Sequence, residues 1–165
     1  MIVIIRFKLN YNFTDGSTHL EDDDFPNEVL IDRTQFKKEI YTKMLSGIAL
    51  NSVCRTIFKK EIIEGIKFRE DLETAEDLIF NINAFSNAAS FIYIAKGYYN
   101  YYQTTQGITG SGLSVFTKYK CNFIVSGELL KKLKSWNMGH LYYYFLALIR
   151  ILIITFSKIR RRIFK

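Results

Sequence analysis

Glu76 and Asp77 stand together at the head of an apolar helical pattern, directly after a polar run from Arg69 to Thr74. A carboxylate at a helix start meets unpaired backbone N–H groups and the positive end of the helix dipole, which hold it in place and keep it ionised. Acid–base chemistry is what such a pair could perform. The same residues also spell a purely structural device, with Thr74 as N-cap and Asp77 as its capping partner three residues on. Local sequence alone leaves both uses open.

Other reactive side chains are sparse. Cys54 and Cys121 form no CxxC pair, and with His19 and His140 they lack any zinc-ligand spacing, so no metal is expected on them. Reduced thiols in a cytosolic protein are the simpler expectation. Asp22 and Asp24 formally make an Asp-x-Asp, but they follow His19-Leu20-Glu21 and precede Pro26 rather than ending a buried apolar strand. No metal site is assigned to them.

The elements that must position the carboxylate pair are mixed α and β. Phe7, Leu9, Tyr11 and Phe13 alternate with polar residues, the period of a strand, and Asp15-Gly16 follows as a turn. A solvated loop through residues 21–26 leads to a short strand from Glu28 to Ile31. Asp32 or Thr34 then caps a helix with Phe36, Ile40 and Met44 on one face, closed by Gly47. An extended stretch from Leu50 to Phe58 precedes a short helix from Lys60 that stops at Gly65. The helix carrying the acidic pair is expected over residues 75–89, with Leu78, Ile79, Ile82 and Phe85 as its buried stripe. Lys96-Gly97, flanked by two aromatic runs, predicts a tight hairpin. After a Thr/Gly/Ser-rich loop over 103–114, a long helix is expected to bury Val115, Phe116, Tyr119, Phe123, Leu130 and Leu133, and Asn137 to Gly139 breaks it. Two regions follow: residues 1–113 as the globular part and 114–165 as a helical, basic tail.

The net charge of +7 is concentrated in that tail. Met1 to Glu128 contains 14 basic and 16 acidic residues, whereas nine basic and no acidic residues come after Glu128. A nucleic-acid binder spreads its basic stripe over the folded surface, so a nucleic-acid partner is not expected. A cationic end beside the apolar run 141–156 suits an anionic membrane surface. Sixteen helical residues reach roughly 24 Å, short of the roughly 30 Å of bilayer hydrocarbon, and Arg150 lies within the run. A helix lying on the membrane at residues 141–165 is therefore expected over a span, with a core helix as the alternative. The basic end places the chain in the cytoplasm, at the inner face of the plasma membrane. Met1 to Arg6 is too short for a signal-peptide core.

One order of segments is informative as a set. Ser52-Val53-Cys54-Arg55-Thr56-Ile57-Phe58-Lys59-Lys60-Glu61-Ile62-Ile63 is followed by Ile66-Lys67-Phe68. Then come Ala75-Glu76-Asp77-Leu78-Ile79-Phe80-Asn81, Tyr98-Tyr99-Asn100-Tyr101 and Ile108-Thr109. Over about residues 48–110 this resembles the C-terminal half of family-2 glycosyltransferases, bacterial inverting enzymes that build surface glycans. The resemblance implies a partial GT-A-like α/β fold, Asp77 as the general base that deprotonates an acceptor hydroxyl, and Glu76 as its assistant. Arg55, Tyr99 and Tyr101 would line the substrate cleft, although core packing suits the tyrosines equally. Two departures stand out: Tyr102 where relatives often carry Arg, and Gly107 where they carry Ser. Loss of the Arg would remove a cation able to contact a diphosphate.

The family's Rossmann-like nucleotide-binding half has no counterpart in this sequence. In a complete relative it would supply an Asp-x-Asp holding Mg²⁺ or Mn²⁺ against a nucleotide-sugar. The expectation is therefore a truncated chain, inactive alone or completed by another polypeptide, whose partners would be a nucleotide-sugar and a glycan acceptor. No cofactor is expected in this chain itself. A non-catalytic membrane-surface binding or scaffold protein, with Glu76-Asp77 only as a cap, is the alternative.

Overall fold

The computed structural model describes residues 3–13, 15–20, 28–46, 50–54, 56–102 and 113–150. Its centre is the strand β1 (Val3–Asn12), which runs parallel to β5 (Ser90–Tyr102) from the Val3↔Ser90 pair to the Asn12↔Tyr102 pair. The other pairings are antiparallel. β2 (Thr18–Leu20) folds back on the end of β1 through the Asp15-Gly16 turn, where Gly16 has a φ of 82° that a side chain would disfavour. β4 (Thr56–Phe58) pairs with the start of β1, and β3 (Val29–Asp32) lines the far side of β5. The order is β2-β1-β5-β3, with β4 also on β1.

The expected hairpin at Lys96-Gly97 does not form. β5 is one continuous strand, and its register on β1 slips where Phe7 faces Ile94 but Leu9 faces Tyr99. The extra residues 95–98 are absorbed as an irregularity against Lys8. Glycine inside a strand marks a bulge as readily as a turn. Here the long parallel partner supplied by β1 decides in favour of the bulge.

Helices cover this sheet. Asp32 Oδ1 accepts from the Thr34 and Gln35 amides at 2.9 and 3.3 Å and so opens the first helical segment. That segment begins as a π-turn, Lys37–Tyr41, and continues as α1 (Thr42–Ser46), with Phe36, Ile40 and Met44 fully buried as the apolar spacing predicts. Gly47 lies outside the described residues. α2 (Lys60–Ile63) is a single turn that ends before Gly65, whose φ is 76°.

α3 (Glu76–Asn87) is the central helix, and its Leu78, Ile79, Ile82 and Phe85 are all buried. Phe80 is stacked on Phe68 at 4.4 Å and meets Phe58 edge-on at 5.6 Å, which clamps the segment before α3 and β4 onto it. The Arg33 guanidinium binds the tail of α3, donating to the carbonyls of Phe85 (3.2 Å) and Ala88 (3.0 Å) and to the Tyr41 hydroxyl. A cation on the last carbonyls of a helix is favoured by the dipole.

α4 (Val115–Leu133) starts at Ser114, whose Oγ accepts from the Thr117 amide at 3.0 Å. Cys121, Val125, Leu129 and Leu133, four residues apart, form its buried stripe and join the same core cluster as α1 and α3. Of the expected buried face, Leu133 is buried and Leu130 packs against the core, but its aromatic residues are not buried. Phe116 and Phe123 are 77% and 71% exposed, and Tyr119 is exposed too. α4 carries apolar residues on two sides, and only contact with the rest of the chain selects which is covered. Beyond it, Trp136 stacks flat on Tyr41 at 4.0 Å and donates Nε1 to Ser86 Oγ at 2.9 Å. The last described residues, 141–150, are helical.

Candidate functional site

Asp77 does not serve as a cap. The N-cap of α3 is Ala75, at φ 70° and ψ 10°, with no side-chain cap bond, and the Thr74 capping box is not formed. A left-handed alanine is disfavoured by Cβ crowding, so the chain takes a strained step immediately before the acidic pair. That step carries Asp77 away from its own helix amides. Its Oδ2 instead accepts from the Val53 amide at 3.2 Å and from Ser52 Oγ at 3.3 Å. Among the described residues no hydrogen bond reaches the other oxygen, Oδ1.

The segment that supplies these donors is held by the same helix. Asn81 is one turn beyond Asp77 and fully buried, and its Nδ2 donates to the Leu50 carbonyl at 2.8 Å. Leu50 itself has a φ of 65°, so the chain enters residues 50–54 through a strained residue fixed to α3. Asn87, near the far end of α3, donates to the Ile62 carbonyl at 3.0 Å and fixes α2. Three polar residues of one helix thus set where residues 50–63 lie.

Cys54 and Tyr99 complete the cluster. Ser52 Oγ lies 3.0 Å from Cys54 Sγ. The Tyr99 phenol is raised above its usual value, first by the negative charge that Cys54 carries when ionised, with partial burial, a hydrogen bond with Cys54, Tyr101 and Asp77 adding to the rise. Tyr99 therefore stays protonated, with a hydroxyl able to donate. Tyr101 lies two residues along β5, on the same side of the strand.

Of the residues singled out from sequence, Asp77 and Tyr101 lie near enough to Tyr99 to act on its phenol by their charge. Glu76 is half-buried and makes no hydrogen bond or ion pair among the described residues, so it does not share the anchoring of Asp77. Arg55, Gly107 and Ile108-Thr109 lie outside the described residues, as do Asp22 and Asp24. Ser52 and Cys54 were not picked out from sequence as site residues. Their only signal was position, in the segment preceding the short strand and helix at 56–63. No group of three or more His, Cys, Asp or Glu that could hold a metal ion occurs among the described residues. Both cysteines are free, Cys121 in the core and Cys54 at the cluster.

The arrangement offers one carboxylate oxygen anchored by two donors, one left available, and a neutral phenol nearby. Such a group can accept a proton from a hydroxyl delivered to it while its orientation is fixed from behind.

No protein-family model matches the chain, and no curated protein matches it. Among solved structures it is similar to S. aureus TarS (residues 1–349), a glycosyltransferase, in complex with UDP-GlcNAc. The TM-score is 0.55 at 17% identity, over 78% of this chain. The chain spans about a third (35%) of the length of that solved chain. The likeness is one of fold alone, mixed α/β.

Proposed function

We propose that this chain forms the acceptor side of an inverting, family-2-type glycosyl transfer centre, with Asp77 as the general base. The observation that carries the reading is the split environment of that carboxylate. Oδ2 is tied to Ser52 and Val53, while Oδ1 takes no hydrogen bond among the described residues. The fold shared with a protein solved with UDP-GlcNAc supports a nucleotide-sugar as donor.

The proposed step is a single displacement. A hydroxyl of the glycan acceptor passes its proton to Asp77 Oδ1, and its oxygen attacks the anomeric carbon of the donor sugar. The bond from that carbon to the diphosphate oxygen breaks, and the nucleoside diphosphate leaves with the electron pair. Attack opposite the leaving group inverts the anomeric centre, so the base must sit on the acceptor side. Tyr99, kept protonated beside Cys54, would donate to an acceptor oxygen and orient it. Tyr101 would extend that edge, and Glu76 and Arg55 have at most a supporting part.

The test is chromosomal replacement of Asp77 by Asn in the native host, followed by analysis of its surface glycans. Loss of one sugar linkage, with the chain still present at normal abundance, is the expected result. A glycan profile identical to the parent strain would remove Asp77 from any transfer reaction.

A further inference from the structure

The exposed side of α4 is unusual for a helix end packed on a core. Phe116, Tyr119 and Phe123 recur at three- and four-residue spacing and form one stripe facing solvent. The helix over 141–150 buries Ala147 and Arg150 but leaves Leu141 87% exposed, with Tyr142, Phe145 and Leu148 also outward. The two helices are joined where Arg150 Nη1 donates to Asn122 Oδ1 at 3.1 Å. Asn122 is three positions after Tyr119, about 60° around the helix, so the α4 stripe borders the line of contact between the two. Both helices thus carry outward apolar residues, and Arg150 and Asn122 bring the two helices into contact.

Along these two helices themselves the charge is mostly of one sign. The described residues 113–150 carry Lys118, Lys120, Lys131, Lys132, Lys134 and Arg150 against Glu128, which pairs with Lys131 at 2.9 Å. Arg150 adds a buried guanidinium that faces no carboxylate among the described residues, and its Nε has no hydrogen-bond partner. Burial lowers its pKa only to about 10, so the charge persists at neutral pH. Two copies meeting through this face would bring two cationic surfaces together, which opposes self-association.

We infer that this two-helix face docks on the surface of an anionic lipid bilayer, with Phe116, Tyr119, Phe123, Tyr142, Phe145 and Leu148 at headgroup depth. Aromatic residues at the interface and lysines and arginines around them match both halves of that environment. No helix among the described residues is long and apolar enough to cross a membrane. The inference goes beyond the proposed transfer chemistry and does not rest on it.

The experiment is sedimentation of the full chain with vesicles of phosphatidylcholine alone and with 30% phosphatidylglycerol, at low and high salt, alongside its molar mass in solution. The chain is expected to co-sediment with the anionic vesicles at least tenfold more than with the neutral ones, and to be released by high salt. The variant Phe116→Ser/Phe123→Ser/Phe145→Ser/Leu148→Ser changes only exposed positions and is expected to keep its near-UV circular dichroism while losing at least tenfold in anionic-vesicle binding. Binding undiminished in that variant would assign attachment to the basic tail alone and overturn the inference. So would equal binding to neutral vesicles, no binding to either, or a dimer that the four substitutions disperse.

Discussion

Asn81 donates its Nδ2 to the carbonyl of Leu50 at 2.8 Å, one helical turn from Asp77 on the same side of α3. The helix that carries the carboxylate thereby also fixes the segment whose Ser52 and Val53 orient it. Carboxylate and anchor are positioned by one rigid element, which is the condition for holding a proton acceptor at a set distance from its substrate.

Replacing Asn81 by Ala is expected to leave the Leu50 carbonyl without its buried donor and to cost about 1–3 kcal/mol. Urea unfolding measures the loss. The same variant should lose whatever activity depends on Asp77, because residues 50–54 are released from α3.

Asp77→Asn preserves an oxygen that can accept from Ser52 and Val53, so the urea midpoint should stay close to that of the parent while proton acceptance disappears. Asp77→Ala removes the acceptor as well, and about 1 kcal/mol of stability with it. A midpoint equally lowered in both variants would mean that the charge, rather than the hydrogen-bond geometry, holds the segment.

Ala75 pays a steric penalty at φ 70° that glycine does not. Ala75→Gly is expected to raise stability by roughly 0.5 kcal/mol, the relieved strain exceeding the added flexibility of the unfolded chain. Thermal unfolding reads this as a small upward shift of the midpoint. A lowered midpoint would show that the left-handed step is not strained.

Burial raises the Tyr41 hydroxyl to about 12, against the opposing pull of the Arg33 guanidinium. The folded state therefore holds this proton more tightly than the unfolded chain, whose tyrosine titrates near 10. The associated stability is complete below pH 10 and is lost as pH rises from 10 to 12. Tyr41→Phe should make the decline across that window shallower, which denaturant titrations at pH 9, 10 and 11 would show. A decline of unchanged steepness would place the titration elsewhere.

Much of the scaffold was legible because its signals are local. The strand β1 and the Asp15-Gly16 turn correspond to observed elements, and the spacing of Phe36, Ile40 and Met44 to observed burial. The Leu78, Ile79, Ile82 and Phe85 stripe does so as well. Side-chain period alone dictates these. Three features were not legible. Lys96-Gly97 reads as a turn until β1 is beside it. α4 offers two apolar faces, and its sequence contains nothing that ranks them. Ser52 and Cys54 lie 25 and 23 residues before Asp77, so no local pattern joins them to it.

By itself, the sequence determined most of the helices and strands and that an acidic pair opens α3, since backbone preference and apolar period act within a few residues. Tertiary structure decided what Asp77 does there. Contacts from residues 50–54 and a left-handed Ala75 turn its side chain from its own helix to a partner elsewhere in the chain. The physical reason is that a hydrogen bond to Asp77 depends on where donors lie in space, and only packing against α3 brings those of Ser52 and Val53 within reach.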